Sequence, residues 1–140
     1  MFFDTNRLTK KELRLHICSF AKQVGVKKVI FNNKAKYVSG TFNPTNNIIF
    51  ISLNQTKKQM LHTLFHELAH YYAVLNKKWT KYHFKLYKRP NPELYFLIEN
   101  KIDKLAKSIW NQNVDKKRWG NYKYFYLKSR KKELTNYFNI

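Results

Sequence analysis

His66-Glu67-Leu68-Ala69-His70 is the densest chemistry in this 140-residue sequence. On a helix, residues four apart stand one above the other, so both imidazoles face the same way and can share one metal ion. Glu67 is turned about 100° from His66 around that helix, within reach of a metal-bound water without being a ligand. Neutral imidazoles suit Zn²⁺, which makes a bound water acidic enough to act as a nucleophile near neutral pH. With only five His and eight acidic residues in the chain, chance order seldom writes this pattern. Glu67 therefore reads as the general base of a hydrolase.

A catalytic zinc needs a third protein ligand and an open position. Glu99 is the first candidate, at the edge of the apolar face of a later helix, beside Tyr95, Ala106 and Trp110. A carboxylate there is costly unless it is paired or bound to a metal. Asp103 follows one turn later on the same face and can hold a ligating histidine through its second ring nitrogen. His83 is the alternative ligand. His62, one turn before His66, shares the face, but three successive turns of a straight helix wrap a tetrahedral ion poorly. A supporting or solvated role suits His62 better.

The elements that must position these residues follow from periodicity and turn signals. Thr9 to Val24 is an amphipathic helix, opened by a Thr9/Glu12 capping box and closed by Gly25. Val26 to Phe31 is a strand, and Asn32-Asn33 predicts a hairpin to a second strand over Lys36 to Phe42. Ile48 to Leu53, apolar on both faces, is a third and interior strand. Thr56 opens the long helix of the HExxH pattern, which runs to about Leu75. A basic, aromatic connection spans Asn76 to Arg89. Asn91-Pro92 starts another helix, expected to reach about Trp110 and to bury Leu94, Leu97, Ile98, Ile102, Leu105 and Ile109. The fold class is α+β: one helix, a small sheet of about three strands, two long helices and a basic tail.

Ser39-Gly40-Thr41-Phe42-Asn43-Pro44, then Asn47 to Asn54, then Thr63 to His70, resemble the ImmA/IrrE type of small zinc metallopeptidase. Glu99 to Ala106 is similar to the later helix that carries the glutamate ligand in that family. The likeness covers about residues 35 to 110, with HExxH its sharpest part. It implies a gluzincin site, with His66, His70 and Glu99 on zinc, Glu67 as general base and a peptide bond as substrate. Two positions depart from the pattern: Ala69 stands where Gly is common, and Asp103 is closer to the broader ExxxD form. A SprT-like protease, which uses a third histidine, is the nearest rival and would promote His83. The domain reading is a zincin-like metallopeptidase over 1–112 with a basic aromatic C-terminal extension over 113–140.

Composition bears on where such a protein works. Lys+Arg total 28 against 8 acids, a formal charge of +20. AT-rich coding enriches Lys but gives no reason for acids to be scarce, so a polyanion such as nucleic acid is the expected partner. An acidic protein surface satisfies the same charge. Eight Lys/Arg lie between Asp115 and Lys132, among Trp119, Tyr122, Tyr124, Phe125 and Tyr126. Lys116, Lys117, Arg118, Lys123, Lys128 and Arg130 are the candidate phosphate contacts, and the aromatics either stack on bases or pack the tail onto the core. A non-catalytic zinc protein that binds nucleic acid or a partner is the alternative function, and a basic virion-associated or DNA-packaging protein is a third. A lone cysteine, Cys18, excludes a disulfide framework and a CxxC site. No signal sequence or membrane-spanning run is visible, so the expectation is a cytoplasmic protein without membrane contact.

Overall fold

The computed structural model describes residues 1–33, 39–75 and 92–123. Its elements are helix α1 (Lys10–Val24), strands β1 (Lys28–Asn32), β2 (Gly40–Asn43) and β3 (Ile48–Ser52), helix α2 (Lys57–Leu75), helix α3 (Pro92–Asn113) and short helix α4 (Lys116–Trp119). This is the α+β arrangement read from the sequence, a small mixed sheet with helices packed against it. No helix among the described residues is long and apolar enough to cross a membrane.

Thr9 caps α1 with both arms of the capping box, its side chain accepting from Glu12 N–H and the Glu12 carboxylate accepting from Thr9 N–H. Gly25 ends the helix at φ 117°, a left-handed conformation that any Cβ would strain.

The sheet order is β1-β3-β2, with β1 parallel and β2 antiparallel to β3. The hairpin expected at Asn32-Asn33 is therefore not formed between β1 and β2. β3 takes the place between them because both its faces are apolar: Ile49 and Ile51 of one face are fully buried, and Ile48 and Phe50 of the other are half-buried. The hairpin instead joins β2 to β3. There Asn43 Oδ1 accepts from Thr45 N–H at 2.9 Å, and Asn47 takes φ 58°, a conformation asparagine tolerates.

Helix α2 is buried nearly all round, from Met60 to Ala73, because it lies between the sheet, α1 and α3. Phe65 anchors it, meeting Phe3, Phe20 and Trp110 at ring separations of 5.8, 5.7 and 5.5 Å. Helix α3 starts at Pro92 and runs to Asn113, slightly beyond the expected end, while Asn91 lies outside the described residues. Its buried line is Ile98, Glu99, Ile102, Asp103, Ala106, Ile109 and Trp110. Leu97, expected in the core, is exposed and Leu105 is half-buried, so the helix is turned toward its two acids.

Beyond α3 the chain folds back onto the core. Phe3 N–H donates to Asn113 O, and Asp115 N–H donates to Phe3 O, both at 2.9 Å. Asp115 caps α4 by accepting from Lys117 N–H. Val114, Trp119 and Tyr122 are buried, so this part of the basic extension belongs to the core.

Candidate metal centre

Helix α2 supplies His66, Glu67 and His70, and α3 lays Glu99 and Asp103 against them. His66 Nε2 lies 3.0 Å from Glu99 Oε2, and His70 Nε2 lies 3.3 Å from Glu99 Oε1. One ligand atom from each of the three residues falls within 4.8 Å of the others, so the group can hold a metal ion. Two donors each about 2.0–2.1 Å from one tetrahedral ion stand about 3.3–3.4 Å apart, and the two His–Glu99 separations, each to a different carboxylate oxygen, are of that order.

The donor chemistry fits a cation as well. Asp103, wholly buried, accepts from His66 Nδ1–H at 3.0 Å. With Nδ1 committed to a carboxylate, Nε2 of the neutral ring presents a lone pair to Glu99 Oε2. That oxygen is buried and, while the ring stays neutral, receives no hydrogen bond. Two acceptors at 3.0 Å repel unless a proton or a metal ion lies between them.

The electrostatics follow from three carboxylates and two imidazoles enclosed together. Burial alone pushes the His66 imidazole down, but hydrogen bonds to Asp103 and Glu99 and the charges of Glu67 and Glu99 outweigh it, holding its pKa up to about 10. Burial pushes Glu99 up, yet the His70 charge and the hydrogen bonds of His66 and His70 prevail, and its carboxyl sits well below the usual range. Glu67 goes the other way. Burial raises it, the charges of His70 and His66 only partly oppose that, and Glu99 raises it further. Of the two glutamates, Glu67 is thus the one whose protonated form its surroundings favour.

Strand β2 passes directly over Glu67. A Cβ on Gly40 would strike Thr63 Cγ2, stand 2.7 Å from the Phe50 carbonyl oxygen and reach 3.5 Å from Glu67 Cγ. Only glycine lets the strand come this close to α2. β2 is also an edge strand, with β3 on one side and no strand on the other among the described residues.

His62 is buried outside the metal group. Its Nδ1–H donates to the Lys58 carbonyl at 2.8 Å, and its ring stacks on Tyr122 with centroids 5.4 Å apart. His83, Lys128 and Arg130 lie outside the described residues. Lys116, Lys117, Arg118 and Lys123 are exposed, while Trp119 and Tyr122 are buried and present no face for a base to stack on. Tyr122 is the residue that sequence reasoning missed at the site: its hydroxyl donates to Asp103 Oδ1 at 2.8 Å. The available signal was the apolar spacing Val114, Trp119, Tyr122 set between exposed lysines, which marks a segment with one face inward.

No protein-family model, curated protein or solved structure matches this chain.

Proposed function

We propose that this protein is a zinc-dependent metallopeptidase of gluzincin type, the class its resemblance to the ImmA/IrrE family implies. The observation that carries the reading is the group His66, His70 and Glu99 with the buried Glu67 beside it, beneath an edge strand. His66, His70 and Glu99 would hold the zinc, an all-nitrogen and oxygen donor set found in catalytic zinc sites. When bound, zinc supplies a Lewis acid that polarises the scissile carbonyl and makes water nucleophilic near neutral pH. Glu67 would take a proton from the attacking water and return it to the leaving amine, a task its raised pKa suits. An extended substrate pairs with the outer edge of β2, which draws its backbone across Glu67. A site serving structure alone gives Glu67 no task, and a buried carboxylate without one is a cost.

The substrate is a protein met on or near nucleic acid. Support comes from the distribution of charge: Glu67, Glu99 and Asp103, three of the eight acids, are enclosed in the site and leave the surface to the lysines. Asp115 is occupied by the α4 cap and by Arg118 at 3.5 Å. Lys116, Lys117, Arg118 and Lys123 then meet phosphates without reading sequence.

Glu67→Gln tests the reading on a proteome-derived peptide library scored by mass spectrometry. The expected result is cleavage by the wild type and a loss of about 10²–10⁴-fold in the variant, with zinc retained in both. Zinc in both and equal cleavage would remove the general base from the account.

A further inference from the structure

From the Tyr122–Asp103–His66 chain of hydrogen bonds we infer that Tyr122 is a positioning residue for the metal centre, acting on His66 through Asp103. The inference rests on His66 being a metal ligand, as proposed above. Asp103 Oδ1 receives two donors, the Tyr122 hydroxyl at 2.8 Å and His66 Nδ1–H at 3.0 Å. All three residues are buried, with Asp103 fully so, and in such surroundings a hydrogen bond fixes direction more firmly than in water. A short aspartate has two side-chain torsions to set. The hydroxyl fixes the oxygen that must in turn fix the plane and tautomer of the His66 ring.

The segment that carries Tyr122 is itself held on several sides. Trp110 Nε1–H donates to Gly120 O at 3.1 Å, Asn6 Nδ2–H donates to Arg118 O at 2.9 Å, and Trp119 is buried. The Tyr122 ring packs on His62 and lies 5.9 Å from Trp110. This framework separates two contributions. The ring belongs to the packing between α2 and α3, and the hydroxyl belongs to the metal centre. Tyr122→Phe removes only the second, which makes the inference testable without dismantling the core.

The consequence is that the metal centre extends past the helix pair that supplies the ligands. A chain ending at residue 119 would keep His66, His70, Glu99 and Asp103, yet lack the group that orients Asp103.

The test is the zinc affinity of the full-length protein, measured by competition with a chelator, together with the visible spectrum of the Co²⁺-loaded form. Tyr122→Phe should weaken zinc binding about tenfold, at the lower end for partners beyond the ligands, and alter the Co²⁺ bands. Trp119→Phe, in the same segment, should lower thermal stability and leave both readouts unchanged. In an Asp103→Ala background, Tyr122→Phe should have no further effect on affinity. Wild-type affinity and spectrum in Tyr122→Phe would overturn the inference and leave the metal centre standing, whereas a wild type that binds no zinc overturns both. Should Tyr122→Phe fail to fold, the Tyr122 hydroxyl proton of the wild type gives the answer by NMR. It should shift on adding zinc, and an unmoved signal would overturn the inference.

Discussion

His62 and His66 stand one turn apart on α2, both buried, and their surroundings push them in opposite directions. Burial, joined by the charges of Lys58 and Lys123, holds the His62 imidazole below its ordinary value despite hydrogen bonds to the Lys58 and Asn121 backbone carbonyls. At His66 the carboxylates of Asp103, Glu99 and Glu67 overcome burial and hold it up to about 10. The helix is the same and the exposure nearly so. The difference comes from α3, which brings Glu99 and Asp103 to the second position and Trp110 to the first. A histidine on a helix face joins a group that could hold a metal ion through what the neighbouring element sets opposite it.

That contrast can be broken most severely by removing the acid from α3. Glu99→Ala should weaken zinc binding by more than about 100-fold, beyond the range for partners outside the ligand set. His62→Gln should change zinc affinity by less than about threefold, because His62 holds no ligand. It should still lower stability by about 1–3 kcal/mol through the lost packing on Trp110 and Tyr122. Chelator competition and thermal unfolding of the two variants check both halves, and equal zinc affinities would erase the distinction between the two histidines.

Gly40→Ala tests the other wall of the site. The new methyl group meets Thr63 and the Phe50 carbonyl, so β2 must move away from α2. The expected cost is about 1–3 kcal/mol, with peptide cleavage reduced more than zinc affinity. Chemical denaturation and the two activity readouts report it. A stable variant with full activity would show that the closeness of β2 to Glu67 has no role.

The metal-free protein should also show a pH dependence. A raised His66 contributes stability that is complete below its unfolded value of 6.5 and is lost as pH rises through about 10. The depressed Glu99 contributes stability present above its unfolded value of 4.5 and lost as pH falls through its lowered value. Metal-free protein should therefore melt progressively lower from pH 7 to pH 10. Zinc, which takes the place of the His66 proton, should flatten that slope. A slope unaffected by zinc would separate His66 from the metal.

Much of this arrangement is legible in the sequence because it is local. HExxH lies within two turns of one helix, and the Thr9/Glu12 box, Gly25 and Pro92 mark helix ends within a few residues. Glu99 and Asp103 are legible through their spacing, four apart on an otherwise apolar face. What escapes is set by distant partners. The interior place of β3 is readable from its two apolar faces, but the parallel pairing of β1 with it depends on chain the periodicity does not describe. Leu97 and Leu105 read as core residues by hydropathy alone, yet the helix turns so that its acids meet α2. Tyr122 reaches Asp103 from nineteen residues away, and in sequence it is one aromatic among several in a basic stretch.

On the proposal made above, α2 and α3 together form a zinc centre. Metal analysis of the purified full-length protein, loaded with Zn²⁺ and dialysed against metal-free buffer, tests it most directly. The expected result is one zinc per chain, kept in Glu67→Gln and lost in Glu99→Ala. Only trace zinc in the wild type, or equal zinc in the wild type and Glu99→Ala, would contradict it.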